Sequence, residues 1–223
     1  MGDLRRLIVF DLDGTLVDSR RDLADAANAL ILERGGRPLP EDAVGRMVGE
    51  GARVLVQRAL TAAGLTADAD SLPRFLALYD ERLLNTTIPY DGIPESLETL
   101  ASHATIAVLT NKPLAPSLRI LEAHGLSRYV AGTIGGDGPY PRKPDPAALL
   151  HLIDVFGSSP GATVMVGDSP IDSETARGAG TAICLARYGF GYHAVDPAQL
   201  RGDEALVDDP AEIAQVISRM LDI

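Results

Sequence analysis

The sequence is poor in cysteine, in positive charge and in long apolar runs. Its 223 residues include one cysteine, Cys184, which excludes an internal disulfide framework and a zinc site built from cysteines. The 20 lysines and arginines are outnumbered by 31 aspartates and glutamates, which gives a formal net charge of −11 at pH 7. A chain this acidic is a poor general binder of nucleic acids and anionic lipids, so we expect neither as a partner.

No apolar run approaches the roughly 18 residues that a membrane-spanning helix needs. The first apolar stretch, residues 7–10, is followed at once by Asp11 and Asp13, which leaves it too short for a secretion signal. The single cysteine also fits a reducing compartment. We therefore expect a cytoplasmic protein with no membrane partner, either a monomer or a homodimer.

Five short apolar segments are expected to form strands that are buried on both faces of a sheet. Helices are expected over residues 93–102, 114–124, 146–156 and 171–179. Strands that alternate with helices are typical of a doubly wound α/β fold with a parallel sheet. The five predicted strands are residues 7–10, 105–109, 130–134, 163–166 and 182–185.

Residues 19–87 break this alternation, because they carry only helical patterns. Ser19 is a candidate N-cap of the first helix, and Gly35 and Gly36 are candidates for its end. We expect a second, all-helical domain at 19–87, inserted into an α/β core domain formed by residues 1–18 and 88–223. It would lie over the carboxyl ends of the strands, where open α/β sheets bind ligands.

Two carboxylates, Asp11 and Asp13, directly follow the first predicted strand. Like charges this close repel each other, so they need a reason to coexist, such as a divalent cation or a role in acid–base chemistry. Gly14 permits a tight turn and a close approach of the backbone to a ligand. The alternative is a turn with solvated acids. A calcium loop is disfavoured, because it needs Asp or Asn where Thr15 stands and Glu where Asp22 stands.

Polar side chains also follow later strands. Asp168 ends another apolar strand, and Asp172 lies four residues on, where capping of a helix is the alternative role. Thr110 and Asn111 supply neutral hydrogen-bond donors after the strand at 105–109, unless they form only a polar turn. Lys143 precedes a predicted helix and could reach the same crevice, or it could be a solvated loop lysine.

Taken together, the strand ends bring three acids, two neutral donors and a lysine to one edge of the sheet. Phosphoryl transfer to a carboxylate needs this set, because an anionic nucleophile must approach a phosphate dianion. Mg²⁺ and a lysine would supply about three positive charges against that repulsion. Mg²⁺ is the expected cofactor, since it prefers hard oxygen ligands.

The motifs at residues 11–15, 110–111, 143–144 and 167–172 resemble, in order, the four motifs of the haloacid dehalogenase superfamily in its phosphatase branch. The resemblance implies a Rossmann-like core and a helical cap at the position of residues 19–87. Asp13 favours phosphate chemistry, because the dehalogenases of the superfamily lack this second acid.

The resemblance also implies a role for each motif residue. Asp11 would attack phosphorus to form an aspartyl-phosphate, and Asp13 would act first as an acid and then as a base. Mg²⁺ would be held by Asp11, the backbone carbonyl of Asp13 and the carboxylate of Asp168. Asp172 would stand behind them and orient water ligands or the neighbouring lysine. The residues implied to hold the phosphoryl oxygens are Thr110, Asn111 and Lys143.

A narrower resemblance is to phosphoglycolate phosphatases, carried by residues 48–52, 110–113, 135–137 with 142–146, and 188–191. It implies 2-phosphoglycolate as the substrate, a small phosphate ester. Its carboxylate would need a cation or helix amides, and Arg53 is the candidate cation. The alternative for Arg53 is a solvated helix face.

Other functions remain open at this point. A phosphomutase of the same superfamily would return the phosphoryl group to a sugar, and phosphate release without an activating bisphosphate distinguishes the two. A phosphatase acting on sugar phosphates, nucleotides or pyrophosphate is a further alternative. A non-catalytic binding module is disfavoured, because the acids and the lysine are all present. A dinucleotide oxidoreductase is discarded, because Ile183 stands where the third glycine of the phosphate-binding motif would be.

Overall fold

The computed structural model describes residues 5–223, and its centre is a sheet of six parallel strands. The strands are β1 (Leu7–Phe10), β2 (Val17–Asp18), β3 (Ile88–Pro89), β4 (Thr105–Leu109), β5 (Val130–Ile134), β6 (Thr163–Gly167), β7 (Ala182–Ala186) and β8 (Ala205–Val207). The order across the sheet is β5-β4-β1-β6-β7-β8, while β2 and β3 form a separate antiparallel ribbon.

The first strand lies at the centre of the sheet because it is apolar throughout. Successive side chains of a strand point to opposite faces. Ile8 and Phe10 therefore pack into the core on one face, and Leu7 and Val9 pack into the core on the other. All four are fully buried. This double burial confirms the predicted parallel, doubly wound sheet.

Helices cover both faces of the sheet. Several of them lie, along the chain, between the first strand of the sheet, β1, and its second, β4. The helices are α1 (Arg20–Glu33), α2 (Glu41–Gly45), α3 (Ala52–Ala62), α4 (Ser71–Asp80), α5 (Ile93–Ala101), α6 (Leu114–Ala123), α7 (Ala147–Val155), α8 (Pro170–Ala179) and α9 (Ile213–Leu221). None of these helices combines the length and the apolar character that crossing a bilayer requires.

The sequence analysis missed β2, β3, β8 and α9. The two strands of the ribbon are two residues long, which is too short to show a period. The strand β8 lies at the edge of the sheet, where Leu206 is exposed. The helix α9 does carry a periodic signal, because Ile213, Ile217 and Leu221 are spaced by four residues and are buried.

The helices α1 to α4 pack together, and their core is continuous with the core on one face of the sheet. Leu30 and Phe75 belong to the same buried cluster as Phe10 and Val166. The division into domains at residues 19–87 stays a prediction. Ser19 does occupy the N-cap position of α1, but its hydroxyl bonds no helix amide. The predicted N-cap position is therefore confirmed, although the side chain does not cap the helix.

One carboxylate, that of Asp22, links the start of this helical segment to its end. Asp22, which is fully buried, accepts hydrogen bonds from the backbone and hydroxyl groups of Thr86 and Thr87 at 2.6–3.0 Å. Burial favours protonation of Asp22, but these donors outweigh it and hold its pKa below the usual value. Asp22 therefore fixes where α1 begins relative to the start of β3.

We expect Asp22→Ala to lower the free energy of unfolding by about 3 kcal/mol, because four donors, two of them fully buried, lose a charged acceptor. The measurement is urea denaturation followed by circular dichroism. Asp25→Ala, at an exposed position of the same helix, is the control and should cost less than about 0.5 kcal/mol. Because the Asp22 pKa is lower in the folded state than in the unfolded state, its contribution to stability is complete above the unfolded-state pKa. The contribution is lost as the pH falls towards the folded-state pKa. The gap between wild type and Asp22→Ala should therefore narrow as the pH falls below about 4.

Candidate active site

The carboxyl end of β1 delivers Asp11 to the edge of the sheet, where it is almost fully buried. Its backbone amide donates to the carbonyl of Val166, which ties the turn to β6 at 2.8 Å. The Oδ1 atom of Asp11 accepts from the amide of Leu12 at 2.7 Å and lies 3.0 Å from the ammonium of Lys143. The Oδ1 atom is thus held by the protein, whereas Oδ2 accepts no hydrogen bond from residues 5–223 and is available to a ligand.

Lys143 is buried between two acids rather than solvated in its loop. Its Nζ atom lies 3.0 Å from Asp11 and 2.7 Å from Asp172. Burial alone would lower the pKa of Lys143, but the charges of Asp11 and Asp172 outweigh burial and raise it to about 12. The lysine is therefore a permanent cation beside Asp11.

Asp172 makes contacts of both kinds that were considered for it, to the lysine and to the start of a helix. Its Oδ1 atom accepts from Lys143, while Oδ2 accepts from the backbone amide and the hydroxyl of Ser169 at 3.1 and 2.6 Å. The second set of bonds completes a capping box at the start of α8. Helix capping therefore fixes the carboxylate that holds Lys143 in place.

Asp168 lies at the carboxyl end of β6 inside a cradle of glycines. A Cβ atom on Gly14 would lie 1.9 Å from its Oδ2 atom, and one on Gly189 would lie 2.3 Å from its Cβ atom. The amide of Gly191 donates to Oδ2 at 2.7 Å. The loop at 188–191 was noted in the sequence as part of a resemblance, but its contact with Asp168 was missed.

Three buried carboxylates meet at this edge. Oxygens of Asp11, Asp168 and Asp172 lie within 4.8 Å of one another, so the group could hold a metal ion. Burial raises the pKa of Asp11 to about 6, although the charge of Lys143 opposes the rise. Burial, Asp172 and Asp11 together raise the pKa of Asp168 well above its usual value. One lysine does not balance three acids, and a divalent cation on hard oxygen ligands fits the deficit.

The hydrogen bonds that the three carboxylates already accept show which of their oxygens can still bind a metal ion. Both oxygens of Asp172 are occupied by Lys143 and Ser169. Asp11 and Asp168 each keep one oxygen that no residue among 5–223 contacts by a hydrogen bond. The carboxylates suited to a cation are therefore Asp11 and Asp168.

Asp13 has a different environment from Asp11. Both of its oxygens accept from the ammonium of Lys112 at 3.0 Å, and Oδ1 also accepts from the hydroxyl of Ser19 at 2.6 Å. The Lys112 ammonium further donates to the Tyr79 hydroxyl at 2.7 Å. The sequence analysis singled out neither Lys112 nor Tyr79, because a lysine before a proline resembles a loop residue and the tyrosine belongs to a core stripe.

Thr110 and Asn111 lie at the end of β4, beside Asp11. The Thr110 hydroxyl accepts from the amide of Lys112 at 3.2 Å. Both amide hydrogens of Asn111 are donated to backbone carbonyls, those of Gly49 and Lys143, each at 2.9 Å. Asn111 thus holds the loop of Lys143 against the helical segment. Its binding of a phosphoryl oxygen stays a prediction.

A pocket of about 40 Å³ lies between the strand ends and the helical segment. Its polar lining includes Asp11, Asp13 and Lys112, and its apolar walls come from helices α1, α3 and α4. Arg53 is absent from this lining and lies exposed on α3. The inward face of α3 is carried by residues 55, 56, 59 and 60 instead. The structure therefore does not bring Arg53 to the site.

Comparison with known proteins places the chain among hydrolases, in agreement with the geometry of the site. A family model described as haloacid dehalogenase-like hydrolase matches residues 5–180. A phosphoglycolate phosphatase of Rhodospirillum rubrum is 41% identical over 93% of this chain and 89% of its own length. One of Pseudomonas putida is 36% identical over 93% of this chain and 78% of its own length. A predicted phosphoglycolate phosphatase of Haemophilus somnus, whose crystal structure is known, is 34% identical in sequence. The two structures superpose with a TM-score of 0.88 over 97% of this chain and 100% of the other.

We expect a divalent cation to raise the Tm of the chelator-treated protein by about 5–10 °C at a hundredfold excess over its Kd. Raised carboxyl pKa values mean that the metal-free cluster loses stability as the pH rises through about 6. A cation then competes with fewer protons, so the increase in Tm should be larger at pH 8 than at pH 5. The measurement is a thermal melt with MgCl₂ or EDTA.

Asp168→Asn is the matched variant for this experiment. It should abolish the response to the cation and raise the Tm of the metal-free protein by a few degrees, because one of three like charges is removed. A full response in Asp168→Asn would contradict the cation site.

Proposed function

This chain belongs to the haloacid dehalogenase-like hydrolase family, and we propose that it hydrolyses small phosphomonoesters, with 2-phosphoglycolate as the preferred substrate. The observation that carries the proposal is Asp11, which is buried against Lys143 and presents a free oxygen at the edge of the pocket. The names of the relatives support the choice of 2-phosphoglycolate.

In this proposal Asp11 is the nucleophile. Its free oxygen attacks phosphorus, the bond from phosphorus to the ester oxygen breaks, and an aspartyl-phosphate forms. Lys143 neutralises charge on the phosphoryl group, helped by the Thr110 hydroxyl and the backbone amides near Leu12. Water then attacks phosphorus and releases inorganic phosphate.

Asp13 is the proposed general acid and base. It lines the pocket on the side of the helical segment, where the alcohol part of the substrate would lie. Asp13 donates a proton to the departing alkoxide and later removes one from the attacking water. The lysine contacts of Asp11 and Asp13 differ, and that difference supports giving the two acids different tasks.

Mg²⁺ is the proposed cofactor. The carboxylates of Asp11 and Asp168 and the backbone carbonyl of Asp13 would hold it. When bound, it supplies positive charge to the phosphoryl oxygens. Uncatalysed hydrolysis of phosphate monoesters is so slow that the site must lower the barrier by about 20 kcal/mol or more. No single hydrogen bond is sufficient, so cation, lysine and covalent chemistry must act together.

We further propose that residues 19–87 act as a cap domain on a core formed by 1–18 and 88–223. The apolar walls that α1, α3 and α4 give the pocket support this division. A closed cap would exclude water until the alcohol leaves. The cytoplasmic location, and a monomeric or homodimeric state, stay predictions.

A substrate panel tests the proposed activity. We expect 2-phosphoglycolate to have a kcat/KM at least about tenfold above those of sugar phosphates, nucleotides and pyrophosphate, because the small pocket excludes bulky leaving groups. Phosphate release is measured with MgCl₂ and with EDTA, and the chelator should stop it. Equal rates on sugar phosphates would remove 2-phosphoglycolate but leave a phosphatase. A need for an activating bisphosphate would favour a phosphomutase.

Replacement of the nucleophile tests the mechanism. Asp11→Asn should reduce kcat by about 10⁴-fold or more and leave no phosphorylated enzyme in the intact mass of acid-quenched samples. The circular dichroism spectrum should match that of wild type, because a buried like charge is removed rather than created. Asp25→Asn, an exposed change on α1, is the control and should retain wild-type turnover. Substantial turnover by Asp11→Asn would refute the assignment.

A further inference from the structure

The lining of the pocket includes a buried cation, Lys112, which is distinct from the Lys143 ammonium beside Asp11. The Lys112 side chain is 3% exposed, and its Nζ atom contacts Asp13 and the Tyr79 hydroxyl. Lys112 comes from the loop after β4, whereas Tyr79 comes from α4 in the helical segment. The pair therefore joins the strand ends to the opposite wall of the pocket.

One hydrogen-bond donor of this pair, the Tyr79 hydroxyl, has no acceptor among residues 5–223. The ammonium of Lys112 has three hydrogens, and it contacts two oxygens of Asp13 and one of Tyr79. The Tyr79 hydroxyl accepts from Lys112 and donates to no acceptor within residues 5–223. Burial raises the pKa of Tyr79 to about 12, so the hydroxyl keeps its proton at neutral pH. A pocket lined by this donor and by a cation suits an anion.

The surrounding walls strengthen that preference. Leu55, Phe75 and Leu76 line the same pocket, and an apolar wall makes a charged hydrogen bond stronger than it would be in water. Ala52, at the start of α3, also lines it, so the positive end of an 11-residue helix faces the same space. Helix and lysine both favour negative charge there.

The size of the pocket limits what the anion can be attached to. The cavity volume is about 40 Å³, so the pocket is small and favours a short leaving group. A leaving group with its carboxylate one carbon from the ester oxygen is short in this sense, and a sugar is not. Lys112 is bonded to Asp13, which the proposed function places beside that ester oxygen.

We propose that the Tyr79 hydroxyl, held in place by Lys112, donates a hydrogen bond to the carboxylate of the leaving alcohol and that the Lys112 ammonium attracts this carboxylate by its charge, so that the enzyme selects phosphate esters of 2-hydroxy acids. This inference rests on the proposed function and specifies which residues choose its substrate. Lys143, beside Asp11, serves the phosphoryl group, and Lys112, beside Asp13, serves the carboxylate. Arg53, which the sequence indicated for this task, has no part in it.

The test compares two esters of similar size that differ by one oxygen atom and one negative charge. 2-Phosphoglycolate carries the carboxylate, and 2-hydroxyethyl phosphate carries a hydroxymethyl group in its place. We take the ratio of their kcat/KM values, because loss of Lys112 also disturbs Asp13 and slows both reactions. The ratio should fall about 100-fold in Lys112→Gln, which loses both the attracting charge and the anchor of the Tyr79 hydroxyl, and about 10-fold in Tyr79→Phe, which loses only the hydrogen bond to the carboxylate. It should stay at the wild-type value in Arg53→Gln, the matched loss of an exposed cation.

The outcomes separate the inference from the proposed function. An unchanged ratio in Lys112→Gln, with wild type active on 2-phosphoglycolate, overturns the inference and leaves the function intact. A collapse of the ratio in Arg53→Gln also overturns it. If wild type hydrolyses neither ester, the proposed function fails, and calorimetric titration with glycolate decides on the carboxylate site. Binding weakened at least tenfold in Lys112→Gln but not in Arg53→Gln supports the site, and equal binding in all three proteins overturns it.

The Tyr79→Phe variant allows the test to be decided even if the Lys112→Gln variant misfolds. It removes one oxygen and keeps the ring that stacks on Phe75 at 6.0 Å between centroids. If Lys112→Gln does not fold, as judged by circular dichroism, the Tyr79→Phe ratio decides alone. A fall supports the inference, and a wild-type ratio overturns it.

Discussion

The ion pair between Lys143 and Asp11 is the contact on which the rest of the site depends. It places a permanent positive charge against a carboxylate that burial would otherwise protonate. The lysine is itself held by Asp172, whose second oxygen caps helix α8, and its backbone carbonyl is held by Asn111. Strand, helix and loop therefore fix one ammonium group in position, and the negative excess left at Asp168 makes the edge suitable for a divalent cation.

Two aspartates that are separated by one residue receive two different environments from this arrangement. Asp11 faces the sheet and Lys143, whereas Asp13 faces the helical segment and Lys112. The lysines come from different loops, after β5 and after β4 respectively. Separate partners are how neighbouring carboxylates acquire separate functions. The helical segment is thus part of the site as well as its cover, because it supplies Ser19 and Tyr79 to the side of Asp13.

Much of the architecture could be read from local patterns. The central strands were predicted within a residue because each is a short apolar segment at the centre of a parallel sheet, where both faces are buried. The acids at the strand ends followed from the same reasoning. The ribbon strands β2 and β3 and the edge strand β8 could not be found in this way, because their few residues are half exposed and carry no period.

What the sequence determined by itself is the order of strands and helices, the acids and the lysine at one edge of the sheet, and the resemblance to a family of hydrolases. Only the tertiary structure decided which side chains meet across the pocket. It turned Arg53 outward, gave the Ser19 hydroxyl to Asp13 and set Lys112 against Tyr79. The reason is physical: a strand or helix is specified by neighbours along the chain, whereas the direction and partner of a polar side chain depend on packing between segments far apart in sequence.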